Sequence, residues 1–455
     1  MNKLLFLMLL ISNGLFANVT LPAVFSDGMV LQRNSEVKFW GNANPKEEIT
    51  LTTGWDHKEY KTVADSMAKW EIKFPTSKEG GPYTISVKGY NEVTLKNILV
   101  GEVWLCSGQS NMEMNAGWGI ENGDAEVLEA ANPNIRFFNI DKATALTPQN
   151  NLQGKWEEST PETMKRSSAI AYFFAKHLEK TLPNVPVGLI ISAWGGTPAE
   201  VWMPESSFVE NKLALQEAQK LKPSEYGPVE PARAFNAMIN PVVGYRIAGT
   251  LWYQGESNTG SNTYENTFSE LINSWRALWK YDFPFYFVQI APYNYGEEYD
   301  GGVKVRDAQR ITLKLKNTAM VVTSDISTVD DIHPKKKKEV GERLADLALK
   351  NIYKAKTGLV ESPLFKNFTV AKNKIIVEFD HADGLHFKNK SSTLFEVAGE
   401  DGKFYKVAAA IKNNQVILNS KKIKNPAKVR YAWGNNIQSD LFNKAGLPAS
   451  SFQTD

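Results

Sequence analysis

The chain has 455 residues, about three times a typical domain length, so two or three domains with a sizeable buried core are expected. Its 52 Lys and Arg against 50 Asp and Glu leave a formal charge of +2, which argues against a surface built for nucleic acid or an anionic membrane. An apolar share of 42% excludes a mainly disordered chain, and the single cysteine, Cys106, excludes an intramolecular disulfide and a cysteine-rich zinc site. His57, His177, His333, His381 and His386 show no i, i+4 pair of the kind that builds a helical metal site, so no metal or other cofactor is expected.

At the start of the chain, Lys3, the apolar run 4–11, Ser12-Asn13-Gly14 and the small residue Ala17 have the three regions of a secretory signal, with cleavage expected after Ala17. No later run reaches transmembrane length and no Cys stands near the cleavage point, so a secreted or periplasmic protein without a membrane anchor is expected. Residues 18–100 alternate short β-branched and aromatic runs (36–40, 48–52, 69–74 and 83–88) with Gly, Pro and Asn turns, the pattern of a small β-sandwich. From residue 99 the pattern changes. Apolar strand-like runs at 103–106, 187–193, 247–253, 285–290 and 319–324 alternate with amphipathic stretches at 167–182, 264–279, 304–315 and 339–353. This predicts an α/β core over 101–355, a parallel sheet covered by helices. The run Lys335 to Lys338 is expected to decorate the solvated first turn of the last helix, whose Val340, Leu344, Leu347 and Ala348 share one face. Over 356–455 short strand-like runs return (375–379, 415–418 and 428–432), predicting a C-terminal β-rich region.

In an open parallel sheet, ligands bind beyond the carboxyl ends of the strands, which makes the residues after each predicted strand the ones to inspect. They are Ser107-Gly108-Gln109-Ser110-Asn111-Met112, Trp194-Gly195-Gly196-Thr197, Gln254-Gly255-Glu256-Ser257-Asn258, Asp325, and then Asp330-Asp331-Ile332-His333-Pro334. A serine, a glycine pair, amides and an Asp/His group on one rim are the parts of an acyl-transfer site. A serine hydroxyl needs a base, and imidazole suits that task at neutral pH. Of the five histidines only His333 falls on this rim. Asp330, three residues before it, is expected to orient the ring through a helical turn, with Asp331 the alternative if the segment is extended.

Each element also has a plain structural reading. Gly108-x-Ser110 alone is weak, because a full nucleophile elbow needs Gly where Met112 stands. Gly195 and Gly196 can be simple turn residues, Glu256 a buried structural carboxylate, and His333 a helix-start residue. Cys106 lies within the apolar strand and reads as core. Four such coincidences on one rim favour the catalytic reading.

The chain resembles the sialate O-acetylesterase family within the SGNH (GDSL-like) hydrolases. The resemblance rests on residues 21–33 (from Leu21-Pro22 through Asp27-Gly28-Met29 to Gln32-Arg33) and on 103–113, around Gly108-Gln109-Ser110-Asn111-Met112-Glu113. It continues through Trp194-Gly195-Gly196-Thr197-Pro198-Ala199-Glu200, Trp252-Tyr253-Gln254-Gly255-Glu256-Ser257-Asn258, Asp331-Ile332-His333-Pro334 and Val429-Arg430-Tyr431-Ala432-Trp433-Gly434-Asn435-Asn436. It implies an SGNH-type three-layer α/β/α core, flanked by β domains, that deacetylates sugars without a metal, with Ser110 as nucleophile and His333 as base. Oxyanion donors would be the Ser110 N–H and the N–H of Gly195 or Gly196. The wider superfamily has Asn two residues after the glycine of its third block. Ser257 stands there in this chain, so Gln254 or Asn258 is expected as the third donor. Gln109, Asn111 and Glu256 are expected to bind substrate.

The function expected is removal of O-acetyl groups from a sugar or oligosaccharide, sialic acid first and acetylated xylan or another hemicellulose second. Two other classes remain as rivals. A glycoside hydrolase using Glu256 needs a second carboxylate across the sugar, and a non-catalytic carbohydrate-binding protein would use some of the 12 Trp.

Overall fold

The protein, seen as a computed structural model, is described over residues 18–296, 299–371, 374–419, 423 and 425–454. The expected signal segment 1–17 lies outside the described residues. Among the described residues no helix is long and apolar enough to cross a membrane.

One strand of 17 residues, Glu92–Gly108 (β1), organises the chain. Its first part pairs antiparallel with Gly80–Lys88 and parallel with Val30–Gln32, while residues 102–108 lie in the centre of a parallel sheet. The pattern change at residue 99 therefore falls inside a continuous strand rather than at a linker. The other core strands are Asn132–Asn139 (β2), Trp156–Ser159 (β3), Val187–Ala193 (β4), Gly249–Tyr253 (β5), Phe285–Val288 (β6) and Thr318–Val321 (β7). Their order is β7-β6-β5-β1-β4-β2-β3, parallel throughout except for the antiparallel edge strand β3.

Alternation along β1 separates the two sides of this sheet. Val103 and Leu105 belong to one apolar cluster, Trp104 and Cys106 to the other, as a period of two requires. The short helix Ser110–Glu113 (α1) follows β1 directly, and four longer helices cover the sheet. Ala169–Thr181 (α2) and Lys337–Asn351 (α5) pack on each other over Trp104 and Cys106. Tyr264–Trp279 (α3) buries Phe268, Leu271 and Trp275 on the opposite side, next to Gly301–Thr312 (α4). Fully buried side chains of this kind contribute roughly 1.5–3 kcal/mol each.

The N-terminal strands form two facing layers. The pair Glu36–Asn42 and Lys69–Pro75 packs on the sheet that holds Glu59–Val63, with Tyr60 and Phe74 ring centroids 5.4 Å apart. This core is continuous with the α3 side of the central sheet. The C-terminal strands enclose their own apolar cluster. They are tied to α4 by buried Arg306, which donates to the carbonyls of Gly434 (2.5 Å) and Asn435 (3.1 Å).

Strand β4 and helix α3 match the expected 187–193 and 264–279, whereas β5, β6 and β7 are shorter than predicted and α4 starts and ends three residues earlier. Strands β2 and β3 were not expected. In β2, Arg136 interrupts a short apolar run, and its charge is hidden because the buried guanidinium donates to Pro133 O (2.7 Å) and Gly28 O (3.3 Å).

Candidate active site

Strand β1 ends at Gly108, whose φ is +136° and whose missing Cβ would lie 2.1 Å from the Tyr253 carbonyl of β5. Only glycine lets the two strand ends run this close. The chain then turns into α1, with Gln109 buried beneath the turn. The Gln109 Oε1 accepts the N–H groups of Gly255 and Ser257, each at 3.3 Å, and so ties the turn after β1 to the turn after β5. At the first position of α1, Ser110 places its Oγ 2.8 Å from His333 Nε2. The histidine comes from the loop between β7 and α5.

That loop is irregular, and helix α5 begins only at Lys337, three residues past Pro334. The Asp331 carboxylate accepts the His333 backbone N–H at 2.8 Å, and Asn111 Nδ2 donates to the Ile332 carbonyl at 2.9 Å. Asp330, expected to orient the ring, is instead exposed, because the segment lacks the helical turn that would bring it round. Among the described residues neither Asp330 nor Asp331 is hydrogen-bonded to the imidazole. Burial lowers the His333 pKa from its ordinary 6.5, Lys337 lowers it further, and Asp331 opposes the shift. The ring is thereby kept neutral and able to accept a proton. Trp118, 44% exposed, stands edge-on to His333 with ring centroids 6.3 Å apart.

The turn after β4 lies directly against the serine, since a Cβ on Gly195 would be 3.3 Å from Ser110 Cβ. The Gly195 N–H is already engaged, donating to Glu113 Oε2 at 2.7 Å, while Glu113 Oε1 pairs with Lys142 Nζ at 2.6 Å. The N–H groups of Ser110 and Gly196 meet no protein acceptor among the described residues. The other two expected donors are also consumed. Gln254 Nε2 donates to Asn258 Oδ1 (2.6 Å) and Thr197 O (3.2 Å), its Oε1 accepts from Tyr264, and Asn258 Nδ2 donates to both Glu200 oxygens. Buried amides must find partners, and here those partners are inside the protein rather than in a cleft. Gln254 and Asn258 therefore do not supply the third donor.

Asn111 and Glu256, expected to touch substrate, are likewise turned inward. Asn111 is fully buried, donates from Nδ2 to Glu256 Oε1 at 2.6 Å and accepts from Lys337 Nζ at 2.6 Å. Burial pushes Glu256 up to about 7, against the pull of its own backbone N–H, Asn111 and Lys337, and pushes Lys337 down to about 7 against Glu256 and Asp331. Glu256 thus lies beneath the serine turn, buried and bonded to Asn111 rather than open to a sugar as a glycosidase carboxylate must be. Lys337 was expected in solvent with its neighbours. Its helical spacing to Val340, Gly341 and Leu344 places it on the apolar face of α5, a signal the run of four lysines obscured. Glu113 and Trp118 were missed too, although Glu113 follows Ser110 at the i, i+3 spacing of one helical turn.

A serine hydroxyl hydrogen-bonded to a neutral imidazole, beside backbone N–H groups and on the carboxyl rim of a mostly parallel sheet, defines a serine-dependent ester hydrolase. The comparisons agree. Residues 100–350 match the family described as "Carbohydrate esterase, sialic acid-specific acetylesterase", so the chain belongs to that family. Sialate O-acetylesterase of Homo sapiens is 29% identical over 413 residues, covering 82% of this chain and 78% of the relative, and that of Mus musculus is 28% identical over 435 residues, covering 81% and 80%. The crystal structure of a carbohydrate acetylesterase from Xanthomonas citri superposes with a TM-score of 0.86 at 33% identity, covering 96% of this chain and 99% of the other.

Proposed function

We propose that the protein is a secreted or periplasmic carbohydrate O-acetylesterase, built on an SGNH-type α/β/α core over 101–355 with a β-sandwich over 18–100 and a β-rich region over 356–455. The 2.8 Å contact between His333 Nε2 and Ser110 Oγ carries this reading. His333 Nε2 takes the hydroxyl proton as Ser110 Oγ attacks the acetyl carbonyl. The oxyanion that forms is held by the Ser110 and Gly196 N–H groups. Collapse of that intermediate breaks the ester bond, and His333 returns the proton to the departing sugar oxygen. A water, deprotonated by the same ring, then releases acetate and restores Ser110. With no carboxylate on the ring among the described residues, Ser110 and His333 work as a dyad whose loop is held by Asp331 from one side and Asn111 from the other.

O-acetylated sialic acid is the first substrate proposed, from the family and the relatives at 28–29% identity. The exposed indole of Trp118 suits a sugar ring of either kind. A neutral acetylated hemicellulose is the second, favoured by one feature of the site. Lys142 and Lys337, two cations beside the serine turn, are each already bonded, to Glu113 and Asn111, so neither is held in reserve for a substrate carboxylate. Acetate release from O-acetylated sialic acid and from acetylated xylan, with sugar chains sized before and after, tests the reading. Acetate release without glycosidic cleavage is expected. Shortened chains with acetyl groups intact overturn it, and the better substrate identifies the sugar.

A further inference from the structure

Between the serine turn and the histidine loop lies a buried polar unit that acyl transfer does not itself require. Asn111, the residue after Ser110, meets Ile332 O, the carbonyl of the residue before His333, at 2.9 Å. Its amide orientation is settled by chemistry, because Ile332 O can only accept and the Lys337 ammonium only donates. Nδ2 therefore spends one proton on Ile332 O and one on Glu256 Oε1, while Oδ1 takes Lys337. All three side chains are buried, and Glu256 Oε2 has no hydrogen-bond partner among the described residues. Burying two charges and an amide is costly against apolar residues of the same volume, so a stability role alone accounts poorly for the unit.

We propose that Lys337, Asn111 and Glu256 are positioning residues for the proposed Ser110–His333 reaction: the Asn111 amide locks the histidine loop onto the serine turn, and the Lys337 ammonium keeps the imidazole in its basic form. This rests on the reading of Ser110 and His333 given above. The charged and titratable groups facing His333 are Lys337 from α5, Asp331 from its own loop and Glu256 through Asn111 from the turn after β5. Around the unit itself stand the Tyr253 ring, 5.5 Å from Lys337 Nζ, and the Tyr295 hydroxyl, whose ionisation Glu256 opposes. Glu256 is joined to the lysine through the Asn111 amide. Removing the lysine charge makes an imidazolium easier to form, which moves the acid limb of activity to higher pH.

The test uses the full chain with 4-nitrophenyl acetate and an acetylated sugar as parallel substrates. Asn111→Ala and Glu256→Gln should lower kcat on both substrates alike, roughly tenfold or more for Asn111→Ala, with KM little changed, because misplacing a base costs turnover rather than binding. Lys337→Met should move the acid limb up by roughly half a pH unit or more, and Lys337→Arg should restore it. NMR titration of the His333 ring reads the same shift without turnover, so failure of the esterase reading and failure of this inference remain separate results. Should Lys337→Met not fold, the uncharged pair Lys337→Met with Glu256→Gln carries the same measurement. An unmoved His333 titration in a folded variant overturns the electrostatic role. A rise in KM for the sugar alone, with aryl ester turnover intact, overturns the positioning role and returns Asn111 and Glu256 to substrate binding.

Discussion

Two histidines in this molecule meet oxygen partners at the same distance and are put to different use. His177 on α2 places Nε2 2.8 Å from Asp346 Oδ1 on α5, and Lys356 bonds the same carboxylate oxygen. His333 places Nε2 2.8 Å from Ser110 and has no carboxylate on its ring among the described residues. The histidine–aspartate pair that triad logic looks for thus exists, but between two packed helices and without a hydroxyl. The Ser110–His333 pair has the hydroxyl, the unengaged N–H groups and the position at the strand ends. A carboxylate orients an imidazole; it is the nucleophile and the oxyanion donors beside it that make a site.

The sharpest way to break this comparison is to remove the hydroxyl. Ser110→Ala should lose roughly 10³-fold or more of acetyl-ester hydrolysis with the fold retained, and turnover near that of the parent in a steady-state assay would leave the two histidines equivalent. Next comes the loop that carries His333. Asp331→Ala frees the His333 N–H and should cost about tenfold in kcat, whereas Asp330→Ala, at an exposed position, should cost less than about twofold. The reverse order in paired kinetic series would return the orienting role to Asp330.

The pH profile sharpens the contrast further. Because burial and Lys337 lower the His333 pKa, the base form persists below the ordinary 6.5, and kcat/KM should fall only as pH drops through a midpoint under that value. A midpoint above 6.5, with folding followed by circular dichroism, would contradict the electrostatics described. The smallest effect on activity belongs to His177→Ala, expected to leave kcat/KM within about twofold. Its hydrogen bond joins α2 to α5, so thermal unfolding should instead report a loss of roughly 1–2 kcal/mol. A large drop in turnover at unchanged stability would mean that the helix pair reaches the site.

The legible part of this protein was whatever neighbours in sequence decide. The apolar run of β4 and the 3.6-residue spacing of α3 matched the expected elements because period and burial follow directly from consecutive side chains. Ser110 and His333 were singled out for a related reason, since strand ends can be read and ligands gather there, and the fold brings the two side chains within 2.8 Å. Strand β2 escaped because Arg136 looks solvated until the carbonyls of Pro133 and Gly28 are seen around it. Lys337 escaped because three neighbouring lysines made it look like one of a solvated set.

What remained for the tertiary structure was the choice of partner for each polar group. Sequence placed Gln254, Asn258, Gly195, Asn111 and Glu256 on the correct rim, but not whether each faces a cleft or another buried group. Glu113 takes the Gly195 N–H, Glu200 takes Asn258, and Lys337 takes Asn111, the last across 226 positions of chain. Hydrogen bonds are short and directional, so a partner is fixed only once the fold has brought distant backbones within about 3 Å. The irregular loop decided the aspartate in the same way: Asp331 meets a backbone N–H and Asp330 meets solvent because no helix forms before Lys337.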